Sequence, residues 1–422
     1  MATNLKNKCG ISPIIGVILI IALTVALVSI LTFLAFNISD DTSDTPNPTI
    51  TLSDDNIQLI RSGNTESVII QEGGVPDYEL SVGDNYKLTS EYEVRVIGII
   101  DGQKTLITYI DGENISSRHN TEPEDTQEIF DDLDGDGSDG NPYIITNDYE
   151  LQAVQEEPDA YYELGNNIDA AGTPTWNNDT GFEPIDAFEG NLEGNDYVVV
   201  GLTIDRPDET NVGLIRNAQG EIQNMGIINA DITGDENVGS LIGRNSNHIH
   251  INQTHSTGDV SGNKNVGGLI GLNHNHATIN QSYSSYDVEG IDNVGGIIGR
   301  NNNHAEVYNS YSNGTITGVN KIGGIVGNNN NHGNIYTSYA TGSIIGETDV
   351  GGLVGNVEGH VEDSYWDIES TGVEERNEDK GTGLLTGEMI GENAENNMDG
   401  FNFDNIWNIQ ENNYPKLHWE DE

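Results

Sequence analysis

Residues 235–372 say nearly the same thing five times at a period of 28 residues, with Val238, Val266, Val294, Ile322 and Val350 in register. The cleanest copy runs Asn265-Val266-Gly267-Gly268-Leu269-Ile270-Gly271, then an Asn/His run, then Ile279-Asn280-Gln281-Ser282-Tyr283 and Val288-Glu289-Gly290. A block this short cannot bury its apolar side chains alone, so the copies must stack into an array with one continuous core. The apolar residues are β-branched or Leu, in short runs separated by Gly and Asn, which reads as short strands with tight corners. Leucine-rich repeats have a different Leu and Asn spacing, and a propeller blade needs roughly 40 residues or more. The expected ladders are Leu241/Leu269/Ile297/Ile325/Leu353, Ile242/Ile270/Ile298/Val326/Val354 and Tyr283/Tyr311/Tyr339, continued by Tyr365 after a shortened last block. Successive coils would lie about 4.8 Å apart.

These blocks resemble GLUG-motif repeats, whose core stands here as Gly268-Leu269-Ile270-Gly271 and Gly352-Leu353-Val354-Gly355. The resemblance extends upstream to Asn141-Pro142-Tyr143-Ile144-Ile145 and downstream to Trp407 and Tyr414-Pro415-Lys416-Leu417-His418-Trp419. It implies a parallel β-helix-like module of the kind found on exported adhesins and some surface proteases.

Charge narrows the setting. The 422 residues carry 69 Asp plus Glu against 16 Lys plus Arg, a net charge of −53. Phosphate binding needs basic residues, so nucleic acid is excluded as a partner. The ladders and 17 Tyr argue against disorder. What remains is an acidic, hydrated surface suited to high salt, where a Debye length of about 3 Å at 1 M removes the self-repulsion. One cysteine, Cys9, excludes an intramolecular disulfide framework.

The first ten residues are basic, through Lys6 and Lys8, and the run from Ile11 to Phe36 is uncharged and largely apolar. Roughly 20 residues of helix span a bilayer, so this run is long enough to cross, and the lysines place everything after it outside. Gly10-Ile11-Ser12-Pro13-Ile14-Ile15-Gly16-Val17 resembles the leader junction of haloarchaeal type IV pilins. That resemblance implies cleavage between Gly10 and Ile11, with the apolar segment kept on the mature chain.

The expected organisation is a leader peptide over 1–10, a transmembrane or pilin-type α-helix over 11–37 and a small antiparallel β-sandwich over 38–115. A flexible acidic linker over 116–140 and a GLUG-repeat solenoid over 141–422 complete it, giving a mostly β chain. The sandwich rests on short strand patterns every 8 to 12 residues. Asp132-Leu133-Asp134-Gly135-Asp136-Gly137 imitates the start of a calcium loop, but Tyr143 stands where the closing Glu belongs, which reads as a solvated acidic turn.

The sharpest polar feature is a histidine column, His248, His276, His304, His332 and His360, accompanied by Asn245/Asn273/Asn301/Asn329 and Asn247/Asn275/Asn303/Asn331. Imidazoles one coil apart are candidate ligands for a metal such as zinc. The competing reading is an amide and imidazole ladder along one corner. N-glycosylation sequons begin at Asn37, Asn114, Asn178, Asn252, Asn280 and Asn313. No His-Glu-x-x-His motif is present, and the regular array holds only Arg244, Lys264, Arg300 and Lys321 as cations. The expectation is therefore a non-enzyme without a cofactor, a pilin-like adhesin or minor pilus subunit at the cell surface. Its expected partners are the membrane, other pilin subunits and a cell-surface or polysaccharide ligand. The alternatives are a membrane-anchored carbohydrate-active enzyme and a structural envelope spacer.

Overall fold

Along each strand of the repeat, alternate side chains point to opposite faces, so Val, Ile and Leu can all face one axis while amides and hydroxyls face away. The computed structural model describes strands within 49–110 and residues 122–421 apart from 124, 246–248 and 375–379. The chain divides into two compact units, Met1–Ser117 and Arg118–Glu422.

In the first unit, Thr49–Ser53, Asn56–Arg61 and Asn85–Lys87 form a three-stranded antiparallel sheet. Ser67–Glu72, Tyr78–Leu80, Val94–Ile100 and Gln103–Ile110 form a four-stranded one. The face-to-face packing that a sandwich requires lies with side chains outside the described residues, as do the leader and the apolar run. Among the described residues no helix is long and apolar enough to cross a membrane.

The second unit is a parallel β-solenoid with three sheets. A first six-stranded sheet stacks Thr210–Val212, Glu236–Val238, Lys264–Gly267, Asp292–Gly295, Asn320–Gly323 and Thr348–Gly351. A second stacks Ile215–Ala218, Ile242–Asn245, Ile270–His274, Ile298–Asn302, Val326–Asn330 and Val354–Val357. The rest of each coil joins a long sheet that includes Glu221–Thr233, His250–Ser261 and Tyr283–Glu289. Ile242 pairs with Ile270, Ile270 with Ile298, Ile298 with Val326 and Val326 with Val354, and all five are fully buried. Burying one such side chain stabilises by about 1.5–3 kcal/mol, which makes these ladders the main cohesive force of the rod. The closing glycine of the motif is a steric necessity: a Cβ on Gly299 would stand 2.3 Å from the Asn265 carbonyl carbon.

Two expectations change here. The stretch read as a flexible linker is structured from Asp125 onward. Thr126–Asp131 is a helix capped by the Asp125 carboxylate, and its Phe130 packs edge-on against Tyr143, with ring centroids 4.9 Å apart. It covers the open end of the core, because the first coil has no preceding coil to do so. The tyrosine column does form, but it belongs to a second hydrophobic cluster outside the coil axis. Tyr283, Tyr311 and Tyr339 stack at 4.9 and 5.0 Å and are roofed by the returning C-terminal segment through Phe401, Trp407, Tyr414 and Trp419.

Candidate binding face

Three largely buried polar ladders hold the corners beneath the polar face. Asn237 Nδ2 donates to Asn211 Oδ1, Asn265 Nδ2 to Asn237 Oδ1 and Asn293 Nδ2 to Asn265 Oδ1, each at 2.7 Å. These residues sit in the left-handed region, with φ of 59°, 59°, 54° and 58° from Asn211 to Asn293, and the corner continues through Lys321 and Asp349 at 59° and 52°. Asn tolerates that conformation better than most residues. Sequence reasoning passed over this ladder, although the Asn directly before Val238, Val266 and Val294 was its signal.

The second ladder is the expected Asn245/Asn273/Asn301/Asn329, fully buried, with Asn273 Nδ2 donating to Asn301 Oδ1 at 2.8 Å and Asn301 Nδ2 to Asn329 Oδ1 at 2.9 Å. Its bonds point toward the C-terminus, opposite to the first ladder. The third is of serines: the backbone N–H groups of Thr254, Ser282, Ser310 and Ser338 each donate to the hydroxyl one coil on, at 3.2 Å. These serines satisfy the backbone where Gln281, Asn309 and Thr337 turn through positive φ.

The histidine column is shorter than its sequence period. His276, His304 and His332 stack with centroids 5.0 Å apart and ring planes within 10° of parallel, at exposed left-handed positions. His248 lies outside the described residues. His360 leaves the column: it pairs with Asn334, because the last coil trims its corner by two residues, and its Nε2 lies 3.2 Å from Glu362. Two nitrogens on one zinc ion, each at about 2.1 Å, stand no more than about 4.2 Å apart. Parallel rings at 5.0 Å must rotate out of their stack to meet that. As folded, the column is a stacking ladder beside Asn275, Asn303 and Asn331, in which Asn331 Nδ2 donates to Asn303 Oδ1 at 3.3 Å.

Other sequence candidates fall as follows. Asn178 and Asn313 are exposed. Asn280 Nδ2 donates to Asn252 Oδ1 at 2.8 Å, and the hydroxyl residues of those two sequons, Thr254 and Ser282, are buried. Asn37 and Asn114, with Gly10 and Ile11, lie outside the described residues. In the acidic turn the Asp136 carboxylate accepts from Ser138, which holds its pKa below the usual value, while the Asp134 carbonyl accepts from Ile144 at 2.9 Å.

Two charged groupings were not foreseen. Asp231, Asp259 and Asp287 pair in register on successive coils with all three side chains exposed. Partial burial, then the neighbouring Asp287 and Asp231, push Asp259 up to about 6. Arg206 and Arg216 each contact both Glu183 and Glu209, at 2.6 to 3.1 Å, in a closed four-membered ion network.

The geometry defines a class, a three-sided parallel β-solenoid with amide ladders. Two family descriptions match the chain: archaeal type IV pilin, N-terminal, over residues 9–50, and the GLUG motif over residues 292–317. Halomucin of Haloquadratum walsbyi is 38% identical over 129 residues, which is 29% of this chain and 1% of halomucin's length. A solved structure from Bacteroides ovatus, assigned as an immunoglobulin A1 protease, superposes with a TM-score of 0.54 at 20% identity, covering 68% of this chain and 94% of that one. That likeness shows the solenoid fold alone. A pilin-type N-terminal segment followed by GLUG repeats is the architecture of a surface or membrane-associated protein.

Proposed function

We propose that this chain is a pilin-like adhesin or minor pilus subunit, held in the membrane or a surface filament by its N-terminal segment, whose solenoid attaches to another surface or polysaccharide. The observation that carries this reading is the repetition of the polar face on successive coils. Buried amide and serine ladders hold the coils in register, and the exposed imidazoles His276, His304 and His332 with Asn331 beside them repeat on successive coils, so contacts can add along the rod by avidity. The test compares cells displaying the full chain with cells whose chain stops after residue 140. The first should attach to surfaces or envelope polysaccharide and the second should not; equal attachment would end the proposal.

One observation favours a second reading, a membrane-anchored carbohydrate-active enzyme. Asp231, Asp259 and Asp287 stand in register on successive coils, and a carboxyl group raised by two like neighbours, as Asp259 is, suits general acid work on a glycosidic bond. Release of sugars from envelope polysaccharide by the full chain, abolished in Asp259→Asn, would establish it.

A further inference from the structure

In a chain of net charge −53, a column that carries two cations, Arg244 and Arg300, stands out. The regular array holds four cations, and two of them are paired: Lys264 with Glu236 at 2.7 Å and Lys321 with Asp292 at 3.6 Å, both on the first sheet. Arg244 and Arg300 are on the second sheet and have no ion pair among the described residues. Their register runs Arg244 to Leu272 to Arg300, so the two guanidinium stems are two coil rises, about 10 Å, apart with a half-buried leucine between them. Beside them runs a second outward column, His274, Asn302 and Asn330.

Two polar atoms in this strip, the donor Arg300 Nε and the acceptor Asn330 Oδ1, are shut away from solvent with no hydrogen-bond partner among the described residues, so a ligand meets them once these side chains turn outward. Such atoms are costly unless something meets them. The charges acting on His274 agree with the geometry: burial, then Arg244 and Arg300, lower its pKa, with no carboxylate opposing them.

We propose that this strip binds an acidic polysaccharide, with the carboxylate or sulfate groups of alternate residues taken by Arg244 and Arg300. A sugar ring would lie over Leu272, and ring hydroxyls would meet Asn302 and Asn330. Guanidinium forks recognise planar and tetrahedral oxyanions with paired hydrogen bonds, and Leu272 offers the apolar C–H face of a sugar a dry contact. The overall negative charge opposes a polyanion at low ionic strength. At about 1 M salt the field is cut to about 3 Å, so the repulsion vanishes while direct hydrogen bonds persist. This inference names the ligand class for the attachment function proposed above and rests on it.

The test uses the full chain extracted in detergent and passed over beads carrying polygalacturonate, dextran sulfate or neutral dextran, in about 1 M salt. The chain should be retained by one or both polyanions and not by dextran, the two arms telling carboxylate from sulfate. Arg244→Gln with Arg300→Gln should weaken retention about tenfold or more, Arg300→Lys should weaken it less, and Lys264→Gln should leave it unchanged, with unaltered melting in each as the folding control. Equal retention on neutral dextran, no retention on either polyanion, or full retention by the double variant would overturn the proposal. If cells still attach while the polyanions fail, the ligand class is wrong and the adhesin stands; if the polyanions bind and cells do not attach, the reverse holds.

Discussion

The Tyr339 hydroxyl donates a 2.5 Å hydrogen bond to the Pro415 carbonyl, joining the middle of the solenoid to a segment 76 residues further along. Tyr311 does the same to the Glu420 carboxylate at 2.9 Å, and the Trp419 indole N–H donates to the Gln281 carbonyl at 3.0 Å. The tail is a strap that converts an exposed aromatic column into a second core, and burial with the Glu420 charge pushes the Tyr311 hydroxyl well above its ordinary pKa.

Trp407, within that strap, is fully buried with its ring centroid 5.5 Å from that of Tyr339. Trp407→Ala should cost about 3–5 kcal/mol and release the C-terminal segment first. Limited proteolysis should therefore cut after residue 398 in the variant while the coils stay resistant.

The corner asparagines make a backbone prediction. Asn265 bonds to both neighbours in its ladder at 2.7 Å from a φ of 54°. Asn265→Ala loses both bonds and strains the left-handed backbone, for about 2–4 kcal/mol. Asn265→Gly keeps the conformation and should lose about half as much. Equal losses in thermal melting would mean that conformation matters little there; Lys321 holds the same conformation at 59°, so the fold can impose it on a residue that lacks the tolerance of Asn.

Asp259 predicts a pH dependence. Its pKa is raised from 3.8 to about 6 in the folded chain, so the stabilisation linked to its proton is complete below the unfolded value and lost as pH rises through 6. Asp259→Asn should match the parent near pH 4 and be more stable above pH 7, by about 1 kcal/mol after discounting for solvent screening of an exposed group. A variant less stable at pH 7 would contradict this sign.

At the N-terminus, the junction between Gly10 and Ile11 predicts a mature chain beginning at Ile11. Mass spectrometry of the membrane-bound protein should find that end. A chain still starting at Met1, or one cut beyond Phe36, would remove the pilin-type processing from the account.

How far the sequence could be read followed from periodicity. Val266, Leu269 and Ile270 repeat at the spacing of their own burial, so the inward ladders were legible before any coordinate. The tyrosine column was legible as a column, but not as an outside one, because its roof comes from residues 399–420, which share no period with it. His360 kept the 28-residue count while the folded corner lost two residues before it, so counting placed it one column away from where it pairs. The ion pairs of Lys264 and Lys321, where Arg244 and Arg300 have none among the described residues, depend on which sheet each lies in, and no count within one repeat reveals that.

The most direct test of the central account is a set of single-period deletions. Removing 266–293 rejoins Asn265 to Val294 and brings Ile242 against Ile298 in an unbroken ladder, so the shortened rod should fold, since each coil contacts only its neighbours. Cell attachment measured across such deletions at successive coils should fall gradually with coil number, with a larger drop only where the deleted period carries Arg244 or Arg300. Abolition of function by one particular deletion, with the others harmless and sugar released by the parent, would contradict the adhesin and make the solenoid an enzyme.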